Sequence, residues 1–356
     1  MRKLSILLAS TLVAFSTLLT ACIAPASPRV APGAVANGVV PAAAADDKAD
    51  WPKEFTVGFF AGDDAEKTLK DNEAFRTYLE EQLGIPVKLV TGASYTAVIE
   101  AMRAKKADGM LVGPFAYVLA VQEAQAEALA INIGGESTET KYNPDAPTHY
   151  YSVIFTKKGS GIATLADLKG KDFSFVDPAS TSGHLAPKTL LIKNGINPDT
   201  DMKTVFAGSH PTSALSVWSD KVPAGATFEN NLYTLAKEGQ IEFCGFSDGK
   251  IGVKRSAEEI KAVYDACPDG KIAIIAYSDE IPSTPFAVRS DFPESFKKAV
   301  KDALLAIKDN ADLVSAVHGW YVDPSESLGL DRLDQYYNSL RDIAKLLNLD
   351  LKELAK

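Results

Sequence analysis

The sequence predicts a two-lobe α/β protein, and three observations carry that prediction. Strand-like and helix-like apolar patterns alternate along the chain, the mark of βαβ units and a largely parallel sheet. A polar stretch over residues 134–149, with Gly134-Gly135 and Asn143-Pro-Asp-Ala-Pro147, interrupts this alternation, which then resumes. About 306 residues follow a low-complexity N-terminal region, enough for two hydrophobic cores.

Taken in order, Phe55-Thr-Val-Gly-Phe-Phe60 reads as a strand. Residues 65–83 set Leu69, Phe75, Tyr78, Leu79 and Leu83 largely on one helical face, and Gly84 stops that helix. Residues 86–90 form a second strand, residues 94–106 a helix with Val98, Ile99 and Met102 inward, and residues 110–112 a short third strand. Gly113-Pro114 breaks the chain before a helix expected to run to about Glu127. Beyond the polar loop, residues 151–155, 172–176, 203–206 and 271–277 read as strands, with helices over 185–193 and from about Thr212. Residues 284–288 follow, and from Pro293 onward the chain reads as helical. Trp218 and Trp320 are expected to pack on helices. Connections near residues 152 and 286 imply a discontinuous first lobe, residues 54–152 plus 287–356, and a second lobe of residues 153–286. Ligands of such folds sit outside the carboxyl ends of strands or in the cleft between lobes.

The N-terminus predicts a destination. Arg2 and Lys3 precede an apolar run to Thr20, the pattern of a secretory signal over residues 1–21. It ends Leu19-Thr20-Ala21-Cys22, small residues before a cysteine, which resembles a bacterial lipobox and makes Cys22 the expected lipidation site. An ordinary signal peptide is the alternative. Residues 22–53 are rich in Ala, Pro, Gly and Val without any period and read as a flexible tether. The formal charge of −9 becomes −11 when Arg2 and Lys3 leave with the signal. An acidic chain without basic runs argues against nucleic acid. Cys244 and Cys267 remain as an even pair in an oxidising compartment, so a disulfide is expected, with two free buried thiols as the alternative.

The stretch Val176-Asp-Pro-Ala-Ser-Thr-Ser-Gly-His-Leu-Ala-Pro187 carries the chemistry. A strand ends and a helix begins on Ser180, Thr181, Ser182 and Gly183. A helix start leaves backbone N–H groups unpaired and partly positive, which suits an oxyanion, and hydroxyls add donors. Gly183 would let a ligand approach the backbone. One cap needs only one hydroxyl, so three in a row point beyond ordinary capping, which is the alternative. Thr91-Gly-Ala-Ser-Tyr95, Gly113-Pro-Phe-Ala-Tyr117 and Gly208-Ser-His210 are polar loops at the same strand-to-helix position, and all four are expected to face one cleft. Phe59, Phe60 and Phe115 are placed to line it or to fill the core. The four histidines, 149, 184, 210 and 318, form no metal-spaced cluster, and no Gly-x-Ser-x-Gly elbow or Gly-x-x-x-x-Gly-Lys-[Ser/Thr] loop is present. Neither catalysis nor a cofactor is expected, although Asp177 and Ser180 with His184 or His210 keep a secreted phosphatase or esterase as the rival class.

Several segments together resemble the phosphonate-binding proteins of bacterial ABC importers. They are Ser94–Met102, Gly113–Tyr117, Tyr150–Ser152, Asp177-Pro-Ala-Ser-Thr-Ser-Gly183, Gly208–His210 and Ile281–Pro285. The resemblance implies a type II periplasmic-binding fold that closes about a hinge, a monomer partnered by a membrane permease and its ATPase. It implies that Ser180, Thr181, Ser182 and Gly183 hold phosphorus oxygens, with Tyr95, Tyr150 and His210 as further donors. Glu229 matches an acidic position of the family, able to accept from a P–OH or an ammonium. A second acidic position, used by members that bind aminoalkylphosphonates, falls at Thr284. Phosphite, methylphosphonate or phosphate is therefore the expected ligand, with an aminoalkylphosphonate or another oxyanion as the alternative. A sensor subunit that presents its ligand to a membrane partner is a further alternative.

Overall fold

The structure is a computed structural model that describes residues 48–62, 64–134, 141–248 and 250–349. Cys22, the signal segment and most of the tether lie outside the described residues. Among the described residues, the chain first runs β1 (Phe55–Phe60), α1 (Ala65–Asp71), α2 (Glu73–Leu83), β2 (Val87–Gly92), α3 (Tyr95–Arg103), β3 (Gly109–Leu111), α4 (Pro114–Ala124) and β4 (Ala126–Ile133). A short strand, β5 (His149–Tyr150), leads to β6 (Ser152–Lys157) and β7 (Asp172–Phe175). Then come α5 (Ala186–Lys193), α6 (Pro198–Asp201), β8 (Lys203–Phe206), α7 (His210–Trp218), β9 (Ala224–Phe228), α8 (Glu229–Lys237), β10 (Phe243–Cys244), α9 (Ala257–Ala266) and β11 (Ile272–Tyr277). The chain returns through β12 (Ile281–Pro282) to β13 (Pro285–Arg289), α10 (Glu294–Ala306), α11 (Ala311–Ala316), β14 (Trp320–Val322) and α12 (Asn338–Leu346).

Two six-stranded sheets result, ordered β14-β4-β13-β3-β1-β2 and β10-β11-β6-β9-β7-β8. The first draws strands from both ends of the described chain, the second only from its middle. Chain crossings between them lie at β5 and β12, which pair antiparallel through Tyr150↔Ile281 and His149↔Pro282. The first sheet packs Phe55, Phe75, Phe286, Phe296 and Tyr321 into one aromatic core, with Phe55 edge-on to Phe296 at 5.3 Å. Each such buried ring contributes about 2–3 kcal/mol relative to exposure. The second sheet has a core on each face, one around Phe173, Phe175 and Ile275, the other around Val153, Phe155 and Ile274. The alternation of β6 and β11 between those two clusters follows from the two-residue period of a strand.

Both sheets are mixed, not largely parallel as the alternation implied. β13 runs antiparallel to β3 and β4, and β6 runs antiparallel to β9 and β11. These strands sit where the chain changes sheets, so a helical crossover does not set their direction. The helix expected to reach Glu127 ends at Ala124. Gln125 turns left-handed at φ 53°, and Ala126–Ile133 becomes a strand. Alanine-rich sequence favours helix locally, but pairing on both sides, with β13 and β14, decides for strand. The segment after Pro293 is not wholly helical either, because Trp320–Val322 pairs with the end of β4 and buries Trp320 in a strand. Gly319 makes that approach possible, since a Cβ there would lie 2.4 Å from the Ile133 carbonyl oxygen. The long helix predicted over 65–83 is broken at Asn72 into α1 and α2.

Candidate binding site

The segment after β7 turns sharply at its carboxyl end. Ser180 caps a single π-helical turn, Thr181–Leu185, its hydroxyl accepting from Gly183 N–H at 3.0 Å. The turn closes through Leu185 N–H to Ser180 O at 3.0 Å and runs directly into α5. Ser180, Thr181 and Ser182 are all buried. Ser152 at the start of β6 donates to the Ser182 carbonyl at 2.6 Å and holds the turn against the sheet. Gly183 is required by the fold of the loop in any case, since a Cβ there would lie 2.3 Å from Val176 Cβ and 2.8 Å from Ser180 Oγ.

Loops of the two sheets meet here. The Thr181 hydroxyl accepts from Phe115 N–H, in the first turn of α4, at 2.7 Å. The Asp177 carboxylate accepts from Ala179 N–H at 2.8 Å, and the backbone N–H of Tyr95, the first residue of α3, is a further influence that pulls its pKa down. A Cβ on Gly113 would lie 3.5 Å from Thr181 Oγ1 and 3.8 Å from the Tyr95 hydroxyl, and one on Gly62 3.6 Å from Ser209 Cβ. The Tyr95 ring is stacked on Phe60 at 4.2 Å. Phe59 and Phe115, by contrast, are core residues.

Each of the remaining expected residues has a definite place. His210 opens α7 behind the Ser209 cap, with Nδ1 2.9 Å from the Thr227 hydroxyl and its ring edge-on to Phe228 at 4.8 Å. Phe228 packs against the small cluster of Tyr150, Ala186 and Ile281. Glu229 opens α8 next to Phe228 and is buried. Its Oε1 accepts from the Tyr277 hydroxyl at 2.6 Å and its Oε2 from Gly252 N–H at 3.2 Å. Sequence reasoning missed these two partners, which come from distant segments. Thr284 lies between β12 and β13, its carbonyl accepting from Asn132 N–H at 2.8 Å. Cys244 and Cys267 are bonded to each other, closing the segment that carries Gly252. Among the described residues, no group of three or more His, Cys, Asp or Glu side chains could hold a metal ion.

No lysine or arginine belongs to the four polar loops, so backbone N–H groups, hydroxyls and burial dominate the electrostatics there. Burial pushes the Asp177 carboxyl up, and the N–H groups of Ala179 and Tyr95 pull it back. Burial also raises Glu229, opposed by Tyr277, Gly252 N–H and the charge of Arg255. Desolvation lowers His210 to about 3 and His184 to about 4, so both imidazoles are neutral near neutrality. The Pro178 carbonyl, 2.9 Å from His184 Nδ1, can only accept, which fixes the proton on that nitrogen. A histidine with a depressed folded pKa stabilises fully above its unfolded value of about 6.5, and that stability is lost as pH falls toward the folded value. The urea-unfolding free energy should therefore fall between pH 7 and pH 5, and His184→Gln should remove about 2 kcal/mol of that fall. An unchanged pH slope in the variant would contradict the buried neutral state.

Comparison with known proteins agrees with this architecture. The family model described as "ABC transporter, phosphonate, periplasmic substrate-binding protein" matches residues 57–326. The phosphate-import protein PhnD of Mycolicibacterium smegmatis is 31% identical over 201 residues, 54% of this chain and 60% of that protein. The phosphonates-binding periplasmic protein of Escherichia coli is 28% identical over 229 residues, 63% of this chain and 57% of that protein. The chain thus spans about three fifths of the length of the curated relatives it matches. The structure of PhnD1 from Prochlorococcus marinus in complex with methylphosphonate superposes with a TM-score of 0.62 at 20% identity, covering 83% of this chain and 99% of that one, a likeness of fold. A binding-protein component of a Pseudomonas aeruginosa phosphonate transporter gives 0.60 at 21% identity, over 85% and 92%. The family match takes in strands of both sheets and all four polar loops, and the chain belongs to the periplasmic phosphonate-binding family of ABC-transporter substrate-binding proteins.

Proposed function

We propose that this chain is the solute-binding component of an ABC importer and captures phosphite, methylphosphonate or phosphate where the loops of the two sheets meet. The lobes, expected at residues 54–152 plus 287–356 and 153–286, are hinged at the crossings, with Ser152 already in the second sheet and Pro285 and Phe286 already in the first, and ligand bridging them favours the closed state. Lipid on Cys22 holds the protein at the outer face of a membrane, within reach of a permease and its ATPase.

One observation supports this reading above the others. Thr181 and Ser182 N–H groups have no acceptor among the described residues, and the Ser182 hydroxyl has no partner there. Ser180 and Thr181 hydroxyls accept from N–H groups and so keep their own protons to donate. Three consecutive residues thus offer three hydroxyl protons and two N–H groups to an oxyanion. Tyr95, Tyr150 and His210 would supplement them as donors. Glu229, with both oxygens already held, has lone pairs left for a P–OH but few for a desolvated ammonium, and Thr284 adds no charge. This favours small ligands without an amine and disfavours fully ionised sulfate.

Calorimetric titration with phosphite, methylphosphonate, phosphate, 2-aminoethylphosphonate and sulfate tests the proposal. Tight binding of one of the first three, with weak binding of the last two, is expected. Ser182→Ala should weaken the favoured ligand by tenfold to a hundredfold, the worth of about 1.5–3 kcal/mol for a hydrogen bond to a charged group. Tight 2-aminoethylphosphonate binding would overturn the ligand preference, and no binding across the panel would overturn the site.

A further inference from the structure

One carbonyl of the π-helical turn after β7 has no donor within the helix, and it lies inside the candidate site. Leu185 N–H reaches back five residues to Ser180 O at 3.0 Å, and Ala186 N–H reaches back five to Thr181 O. The next donor in that register would be residue 187, which is proline and carries no N–H. Ser182 O is thereby left without a helical partner, and the Ser152 hydroxyl takes it from outside at 2.6 Å. The Gly183 carbonyl, four residues before the same proline, is likewise turned outward, to Val176 N–H at 3.0 Å. The competing register is near at hand, because Ser182 O is the α-helical acceptor of Ala186 N–H. A buried carbonyl is costly unless a donor reaches it, so the group that holds Ser182 O decides between the two registers. We propose that Ser152 is a positioning residue for the ligand loop, keeping the turn over residues 181–185 in its π register by occupying the Ser182 carbonyl that Pro187 cannot serve.

Ser152 is itself firmly placed. It pairs with Phe228 at the start of β6, its N–H donates to the Ser278 hydroxyl at 3.0 Å, and its carbonyl accepts from Ser278 N–H at 2.9 Å. The residue is buried, as is Ser182. Single π-helical turns recur at functional sites. Here the register sets how the backbone and hydroxyl groups of Ser180, Thr181 and Ser182 are presented, and a slip to the α register would move them together. A donor set fixed before ligand arrives leaves less ordering for the binding step. This consequence for capture rests on the binding-site reading, whereas the control of register does not.

Crystal structures of the full chain and of its Ser152→Ala variant, both free of ligand, read the register directly. In the variant, Ala186 N–H is expected on Ser182 O and no longer on Thr181 O. Calorimetric titration with phosphite, methylphosphonate and phosphate should show the tightest of them weakened by about tenfold or more, the scale of one hydrogen bond to a charged group. Ser152→Thr, which keeps the hydroxyl, should retain the π register and most of the affinity. Ser152→Cys fills the space of serine with a weak donor and is read in the same way as alanine, should the smaller side chain prevent folding. A π turn that survives in the alanine or cysteine variant would overturn the proposal, because the register would then not depend on the hydroxyl. An α turn with unchanged affinity would overturn the positioning role. If none of the three ligands binds the unsubstituted chain, the phosphorus reading fails, and the crystal structures still decide the register.

Discussion

Gly183→Ala is expected to destabilise the protein by about 3 kcal/mol and to abolish ligand capture, the largest effect of any single methyl group in the candidate site. The position has ordinary backbone angles, so the effect is purely steric. The added carbon would lie 2.3 Å from Val176 Cβ and 2.4 Å from its Cγ2, distances that no rotamer relieves, because the first is to the β-carbon itself. The turn would have to lift from the end of β7, breaking Val176 N–H to Gly183 O and the Ser180 cap. Urea unfolding and titration calorimetry read the two losses. Rescue gives the sharper test, since Val176→Gly should restore much of the stability and Val176→Ala should not. Equal rescue by both would mean that the clash is not with the β-carbon.

Replacing Cys244 and Cys267 with serine should cost about 3 kcal/mol, the chain-entropy value for a loop of this size. The bond spans 23 residues and ties β10 to the residue that ends α9. Its loop carries Phe246, stacked beneath the Arg255 guanidinium at 4.3 Å, and Asp248, which grips Arg255 through two bonds of 2.7 and 2.8 Å. It also carries the Gly252 N–H that holds Glu229. The double variant should therefore lose more than stability. With Gly252 free to move, Glu229 is held from Tyr277 alone, and discrimination against sulfate should weaken by several-fold. Unfolding curves that coincide with those of the unsubstituted protein would refute the first part. Selectivity that persists in a folded variant would refute the second.

Much of this architecture was legible because it is local. The helix Tyr95–Arg103 carries its own period, with Val98, Ile99 and Met102 buried as the sequence implies, and the Ser180-Thr181-Ser182 run announces a helix start unaided. The even cysteine pair was equally plain. What was not legible depends on distant partners. Ala126–Ile133 is a strand only because β13 and β14 flank it, and its alanines would otherwise favour helix. Tyr277 and Gly252 give no local sign that both bind Glu229, 48 and 23 residues away. Gly183 reads from the sequence as an opening for a ligand, but the neighbour that demands a glycine there, Val176, lies across the turn and shows only in three dimensions.

The double crossing at β5 and β12 also sets an order of assembly. All strands of the second sheet come from residues 152–277, an unbroken stretch that holds everything it needs to condense. The first sheet does not have that independence, because β13, from residues 285–289, stands between β3 and β4 in its middle. A nascent or freshly exported chain that stops short of β13 leaves β3 and β4 with bare edges, the kind of surface that recruits wrong partners. The C-terminal segment is thus a late keystone. Closing the first sheet requires contacts across more than 150 residues, such as Phe286↔Leu111, and by that topology the first sheet is the slower half to form.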